Sequence, residues 1–186
     1  MENNNMAEIK EKLLSLLKKD AFKKGKFILS SGKESNFYLD GRIITMTPEG
    51  AFLIASIILE MIKDGSLDGF GGPTIGADPI VGAVACLSYI QGKLIKTFIV
   101  RKAAKVHGTQ RQVEGPALLA GNRVVLVDDV ATTGKSLVEA KQVLDAMGVI
   151  VVKAIVVVDR NEGAKENLAK VGLHLESIFS LADLGV

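Results

Sequence analysis

One cysteine, no tryptophan and two histidines leave this chain of 186 residues with few of the side chains that carry redox or metal chemistry. A lone Cys86 excludes an internal disulfide framework and a cysteine-rich zinc site. Its place in the apolar run Ile80 to Leu87 predicts a small, buried packing role. There is no Ser-His-Asp or Cys-His signature of nucleophilic catalysis. Long hydrophobic runs are also missing. The longest, Val149 to Val158, is broken by Lys153 and falls well short of the ~20 residues that span a bilayer. The N-terminus is acidic and asparagine-rich ahead of an amphipathic stretch, which is not the pattern of a signal peptide. A surplus of one charge is lacking too. A net +2 argues against a nucleic-acid or anionic-membrane partner, so any preference for anions has to come from local clustering.

What is present is a globular composition, 48% hydrophobic and 24% charged, in a length that suits a single domain across residues 1–186. These bulk properties fit a compact cytoplasmic protein. No repeat, low-complexity tract or interdomain linker interrupts it. Apolar residues Ile9, Leu13, Leu16 and Leu17 at helical spacing predict a helix over Ala7–Phe22. Short extended pieces at Lys26–Ser30 and Asn36–Asp40, joined by the turn-rich Ser31–Ser35, predict a hairpin. With the helix, the hairpin reads as an appended hood over residues 1–45. Thr47 and Pro48 form an N-cap and first-turn pair for a helix running to about Lys63.

Beyond it the rhythm turns to strand, loop and helix. Strands are expected at Leu67–Phe70, Ile95–Val100, Arg123–Val127, Val152–Val158 and Leu175–Phe179, and helices at Ile80–Gln91, Lys135–Met147 and Glu162–Lys170. This alternation predicts an α/β fold, an open and mostly parallel sheet with helices on both faces. Ligands on such sheets bind at the carboxyl ends of strands.

The most informative segment is Val124 to Ser136. Four apolar residues, Val124 to Val127, run into Asp128 and Asp129 and then into Val130, Ala131, Thr132, Thr133 and Gly134 before Lys135 and Ser136. The unbroken apolar run reads as a buried parallel strand. Successive amides in a turn at a helix N-terminus make an anion site. Paired carboxylates at the strand end are acceptors for vicinal hydroxyls, or for the water on a hydrated Mg²⁺. Phosphate, diol and metal together describe a phosphorylated ribose. The tail Gly134-Lys135-Ser136 imitates an ATP-binding loop, but that motif requires a glycine where this chain has Asp129. The other reading of the acids is a helix cap at an ordinary strand-to-helix junction.

A second cluster lies in Val100 to Gly115, where Arg101, Lys102, Lys105, His107 and Arg111 follow a strand in a glycine- and polar-rich stretch. It reads either as a solvated charged loop or as an arm that closes over a polyanion, with Gly108 and Gly115 permitting the backbone change.

The Asp128–Ser136 segment resembles the signature of type I phosphoribosyltransferases, which use 5-phosphoribosyl 1-pyrophosphate (PRPP). Arg101-Lys-x-x-Lys105-x-His107-Gly resembles the catalytic loop of the orotate-specific branch of that family. Met46-Thr-Pro48, Phe27-x-Leu-x-Ser-Gly32 and Ser35-x-Phe-Tyr38 are similar to its N-terminal part, so the likeness covers nearly the whole chain. The resemblance implies transfer of a phosphoribosyl group from PRPP to orotate in pyrimidine biosynthesis, with Mg²⁺ held mainly through PRPP and water. It also implies a homodimer in which the arm reaches the neighbouring subunit's site. It places Arg101, Lys102, Lys105 and His107 on the pyrophosphate, with Lys105 and His107 as the catalytic pair. Asp128 through Ser136 form the ribose-phosphate loop, with Asp128 and Asp129 on the ribose hydroxyls, and Thr132 and Arg160 fall on orotate. For Arg160 the alternative is a strand-end residue paired with Asp159. His174 matches no motif and is expected to be structural or exposed. Some relatives carry a lysine where this chain has Ser30, and Tyr-Lys where it has Ile75-Gly76, so those cationic contacts are missing here or replaced. Asp78 is either a water-mediated Mg²⁺ contact or a turn acid before Pro79.

Overall fold

A computed structural model describes residues 2–28, 34–63, 65–103 and 111–186. Helix α1 (Glu2–Leu16) widens into a π-helical turn at Leu17–Ala21. The chain then forms the antiparallel hairpin β1 (Phe22–Ile28) and β2 (Glu34–Leu39), a sheet of its own. The expected hairpin is present, with its first strand starting four residues early; its turn, and Ser30 with it, falls outside the described residues. A short α2 (Arg42–Thr45) precedes α3 (Pro48–Met61). Thr47 caps α3 as expected, its Oγ1 accepting from the Gly50 amide at 3.1 Å, with Pro48 in the first turn.

The main sheet comprises β3 (Gly69–Pro73), β4 (Lys96–Val100), β5 (Val113–Glu114), β6 (Arg123–Ala131), β7 (Ile150–Asp159) and β8 (Leu175–Ser180), ordered β5-β4-β3-β6-β7-β8. All neighbours are parallel except the β4–β5 pair. Helices α4 (Asp78–Ile90), α5 (Lys135–Ala146) and α6 (Ala164–Lys170) connect the strands, and α7 (Leu181–Leu184) ends the chain. From β3 the chain steps to β4 on one side, whereas β6 lies on the other side and leads outward to β7 and β8. The β3–β6 boundary is therefore the switch point of the sheet, where a crevice opens beyond the carboxyl ends of the strands.

Both faces of β6 are dry. Val125 and Val127 pack with α1, α3 and α4, while Val124 and Leu126 pack with α5 and α6. That is the reason for an apolar run without alternation. β3 is nearly bare of side chains because its neighbours press on its backbone. A Cβ on Gly72 would lie 1.9 Å from the Val127 carbonyl oxygen, and one on Gly71 would lie 2.1 Å from that of Phe98. Lys153, the break in the longest apolar run, is half-buried. Its ammonium donates to the Met61 carbonyl at the end of α3 and to Glu176 on β8, each within 3.0 Å.

One expectation fails. Cys86 is exposed, because α4 turns Ile80, Val81, Val84 and Ser88 to the core and leaves position 86 outside. His174 is exposed as well.

Two glycines should respond in opposite directions. Gly72→Ala forces overpacking against β6 and should cost about 1–3 kcal/mol or more. Gly82→Ala, inside α4 with nothing within 4 Å of the added methyl, should stabilise by about 0.5–1 kcal/mol. Urea unfolding midpoints check both, and equal shifts would contradict the packing described.

Candidate active site

The two acids are strand residues, not loop residues. β6 continues through Asp128 and Asp129 to Ala131 because β7 remains paired with it up to Ala131↔Asp159. Asp128 is 7% exposed. Its Oδ1 accepts from the Asp129 amide at 3.0 Å and its Oδ2 from the Ser136 hydroxyl at 3.1 Å. Asp129 Oδ1 accepts from the Val130 amide at 2.8 Å. Neither acid caps α5. That helix begins after Gly134, which sits at φ +71° and offers no side-chain cap, so the helix-cap reading is ruled out. Its first-turn amides have no intrahelical acceptors, the general arrangement that suits an anion. Asn167 on α6 fixes the loop by donating to the Thr133 carbonyl at 3.0 Å.

Burying adjacent carboxylates penalises their charge. Burial, reinforced by the charge of Asp129, pushes the Asp128 carboxyl up to about 8. Asp129 is also raised by burial, with the Arg42 guanidinium opposing the shift.

The acids floor a cavity of roughly 300 Å³. Lys102, Val130, Thr132, Ser136 and Arg160 reach the same cavity, joined by Tyr38 to Arg42 from the hood and by Thr74 to Gly76 after β3. The Thr74–Ile75 peptide is cis. Ala131 is buried beneath the strand end, Thr133 and Lys135 are exposed, and Lys135 pairs with Glu139 at 3.7 Å. Arg101 is turned to Glu114 at 3.8 Å, and its amide takes the Gln112 carbonyl at 2.8 Å, so the β4–β5 pairing closes the neck of the arm. A larger cleft of about 490 Å³ adjoins along α5 and shares Lys102 and Ser136 with the first. Lys105 and His107 lie outside the described residues.

Arg160 does not pair with Asp159. It is 6% exposed, its guanidinium is held by Glu162 with Nη2 at 2.7 Å, and it lies 4.7 Å from the centre of the Phe37 ring. Asp159 instead accepts from the Asn161 amide at 2.9 Å, a turn that fixes where Arg160 leaves β7. Asp78 opens α4 and accepts from the Thr74 hydroxyl at 2.8 Å, which is the turn-acid arrangement.

Sequence reasoning missed Phe37, Asp40, Gly41, Arg42 and Glu162. The available signals were an acid and a cation two residues apart around Gly41, and an acid two residues after Arg160. Gly41 packs directly on the acid pair, where an added Cβ would lie 3.0 Å from Asp129 Oδ2.

A strand-end acid pair, a glycine-led helix N-terminus and a crevice at the switch point define a phosphoribosyl-binding class of site. The chain belongs to the phosphoribosyl transferase domain family, whose model matches residues 43–183. It is 44% identical over 178 residues to the orotate phosphoribosyltransferase of Aquifex aeolicus, covering 94% of this chain and 97% of that one. The corresponding protein of a Nostoc species is 41% identical over 180 residues, covering 97% and 87%. Among solved structures, the Mycobacterium tuberculosis orotate phosphoribosyltransferase in complex with PRPP superposes with a TM-score of 0.80. It is 33% identical and covers 96% of this chain and 99% of its own. Within the family, these relatives place the chain among the orotate phosphoribosyltransferases.

Because the folded protein holds a proton on Asp128 up to about pH 8 and the unfolded chain releases it near 3.8, stability should fall as pH rises through that window. Asp128→Asn has no proton to lose there. Its stability should be flatter between pH 5 and pH 8 and should exceed that of the parent protein at the upper end. Urea unfolding of ligand-free protein at the two pH values is the check, and parallel profiles would contradict the burial argument.

Proposed function

We propose that the cavity binds PRPP and orotate and transfers the 5-phosphoribosyl group between them, giving orotidine 5′-monophosphate and pyrophosphate for pyrimidine biosynthesis. The observation that carries this reading is the Asp128–Asp129 pair, the first buried and the second half-buried, lining one cavity with Ser136 of α5 and with Arg160. Asp128 and Asp129 take the ribose hydroxyls. The loop from Val130 to Ser136 takes the 5′-phosphate on backbone amides. Arg160, clamped by Glu162 through one edge of its guanidinium, offers the other edge and Thr132 to the orotate carboxylate.

The C1′–oxygen bond breaks with its electron pair leaving on pyrophosphate. N1 of orotate forms the new bond to C1′ and releases its proton to water. The sugar passes through oxocarbenium character, as in glycoside cleavage, so no enzyme nucleophile is required. Catalysis is positioning of the acceptor behind C1′ and stabilisation of the leaving group by Arg101, Lys102, Lys105 and His107. A magnesium ion fits the oxygen-rich donors present, and no cluster of three metal-ligating side chains occurs among the described residues. The resemblance supports an ion carried mainly by substrate phosphates and water. When bound it would neutralise charge on the pyrophosphate.

The working form is a homodimer with shared sites, a reading supported by the resemblance of the arm and by the exposed apolar Tyr89, Ile90 and Leu94. Its setting is the cytoplasm. Among the described residues no helix is long and apolar enough to cross a membrane.

The test is pyrophosphate release from PRPP and Mg²⁺ with orotate, uracil, adenine or hypoxanthine offered separately. Only orotate should support turnover. Turnover with a purine base would point to a purine phosphoribosyltransferase, and none with any base to a noncatalytic PRPP sensor. Lys105→Ala should lower kcat by the equivalent of about 2–4 kcal/mol with little change in KM for orotate. Mixing it with an inactive Asp129→Asn variant should restore activity through hybrid dimers. No recovery after proven subunit exchange would argue against a shared site.

A further inference from the structure

Cations are unevenly spread around the acid pair. The segment after β3 that flanks the acids, Thr74 to Gly76, carries none, and position 76 has no room for a side chain. A Cβ there would lie 2.3 Å from Asp128 Oδ1 and 2.5 Å from Asp129 Oδ1. Arg160 is committed on one edge to Glu162. Among the described residues this leaves Lys102 at the mouth of the arm and Arg42 at the foot of the hood.

Arg42 is held as if for a ligand. Asp40 grips it three times, Oδ1 accepting from the backbone amide at 3.1 Å and from Nε at 2.9 Å, and Oδ2 from Nη2 at 3.0 Å. That grip uses the Nε side of the fork. The Nη1 group and the second Nη2 hydrogen remain, an edge shaped for two oxygens of a phosphate. The guanidinium cannot swing away without losing Asp40, and Gly41 brings the segment onto Asp129. The side chain remains 46% exposed, so this edge is reachable from the cavity it lines.

We propose that Arg42 is a substrate-contacting cation that binds the diphosphate end of the donor from the hood side, supplying the charge that the segment 74–76 cannot carry. This rests on the transfer reaction proposed above. Its proximity also favours the ionised form of Asp129, the form that accepts hydrogen bonds from ribose hydroxyls. A lysine at this position would keep the charge but lose both the fork and the grip of Asp40.

The experiment is calorimetric titration of magnesium diphosphate, without other substrates, into the parent protein and into Arg42→Ala, Arg42→Lys and Asp40→Asn, alongside steady-state kinetics. Arg42→Ala should weaken diphosphate binding about ten- to hundredfold, the worth of hydrogen bonds to a charged group read as a binding ratio. KM for PRPP should rise, and KM for orotate should stay within twofold. Arg42→Lys should recover part of the loss, and Asp40→Asn should give a smaller loss of the same kind. Each variant is compared at an unchanged urea midpoint; if Arg42→Ala does not fold, the other two carry the measurement. Unchanged diphosphate affinity in the folded variants overturns the proposal, and so does a loss confined to orotate. A parent protein that turns over orotate while Arg42→Ala binds diphosphate normally defeats this inference alone. A parent protein with no turnover defeats the reading it rests on.

Discussion

Two adjacent carboxylates, Asp128 buried and Asp129 half-buried, end a strand that is dry on both faces, and the surrounding structure answers to that burial. Removing carboxylates from water is unfavourable unless donors or a proton compensate. Here the compensation combines the proton that Asp128 retains, the backbone amides of Asp129 and Val130, one hydroxyl from Ser136, and the nearby charge of Arg42. The remaining acceptor capacity faces the cavity. The ribose hydroxyls of the donor proposed above would supply the donors that the protein leaves out.

The same constraint explains the missing side chains nearby. Gly41 comes from the hood and Gly72 and Gly76 from β3 and the turn after it; a Cβ at Gly72 or Gly76 would strike the acid pair or the strand that carries it, and one at Gly41 would crowd Asp129 at 3.0 Å. The backbone approaches the carboxylates from the hood and from the end of β3, and the crevice between them stays narrow. The hood is thereby tied to the site twice, through Gly41 and Arg42 beside Asp129 and through Phe37 beneath Arg160. A two-stranded hairpin is marginal in isolation, and these contacts give it a fixed position.

Much of this was legible from sequence, and the exceptions have physical causes. The parallel sheet follows from the alternation of apolar runs with helical stretches, and Val124 to Val127 stands out by lacking a polar face, whereas the switch point depends on a strand order that alternation does not carry. The sequence ends this strand at Val127 and puts Asp128 and Asp129 in the loop, because charge normally ends a buried strand. The strand persists because β7 continues its register to Asp159, which is non-local information. Cys86 was misplaced because an apolar neighbourhood in sequence says nothing of which side of α4 a residue occupies. Helix α2, the π-helical turn and the two-residue β5 are too short for any periodicity to show.

Arg42 marks the deeper limit. Its pairing with Asp40 is local and visible as a pattern, but its meaning depends on Asp129, nearly ninety positions further along the chain. Only the fold brings them together, through the approach of Gly41. The segment after β3 and the foot of the hood occupy neighbouring walls of one cavity, so a charge can be supplied from either wall. A side chain at position 76 would strike the acids, whereas position 42 has space and a carboxylate to orient it. Given that geometry, the hood is the wall from which a fixed cation can be offered without disturbing the acids.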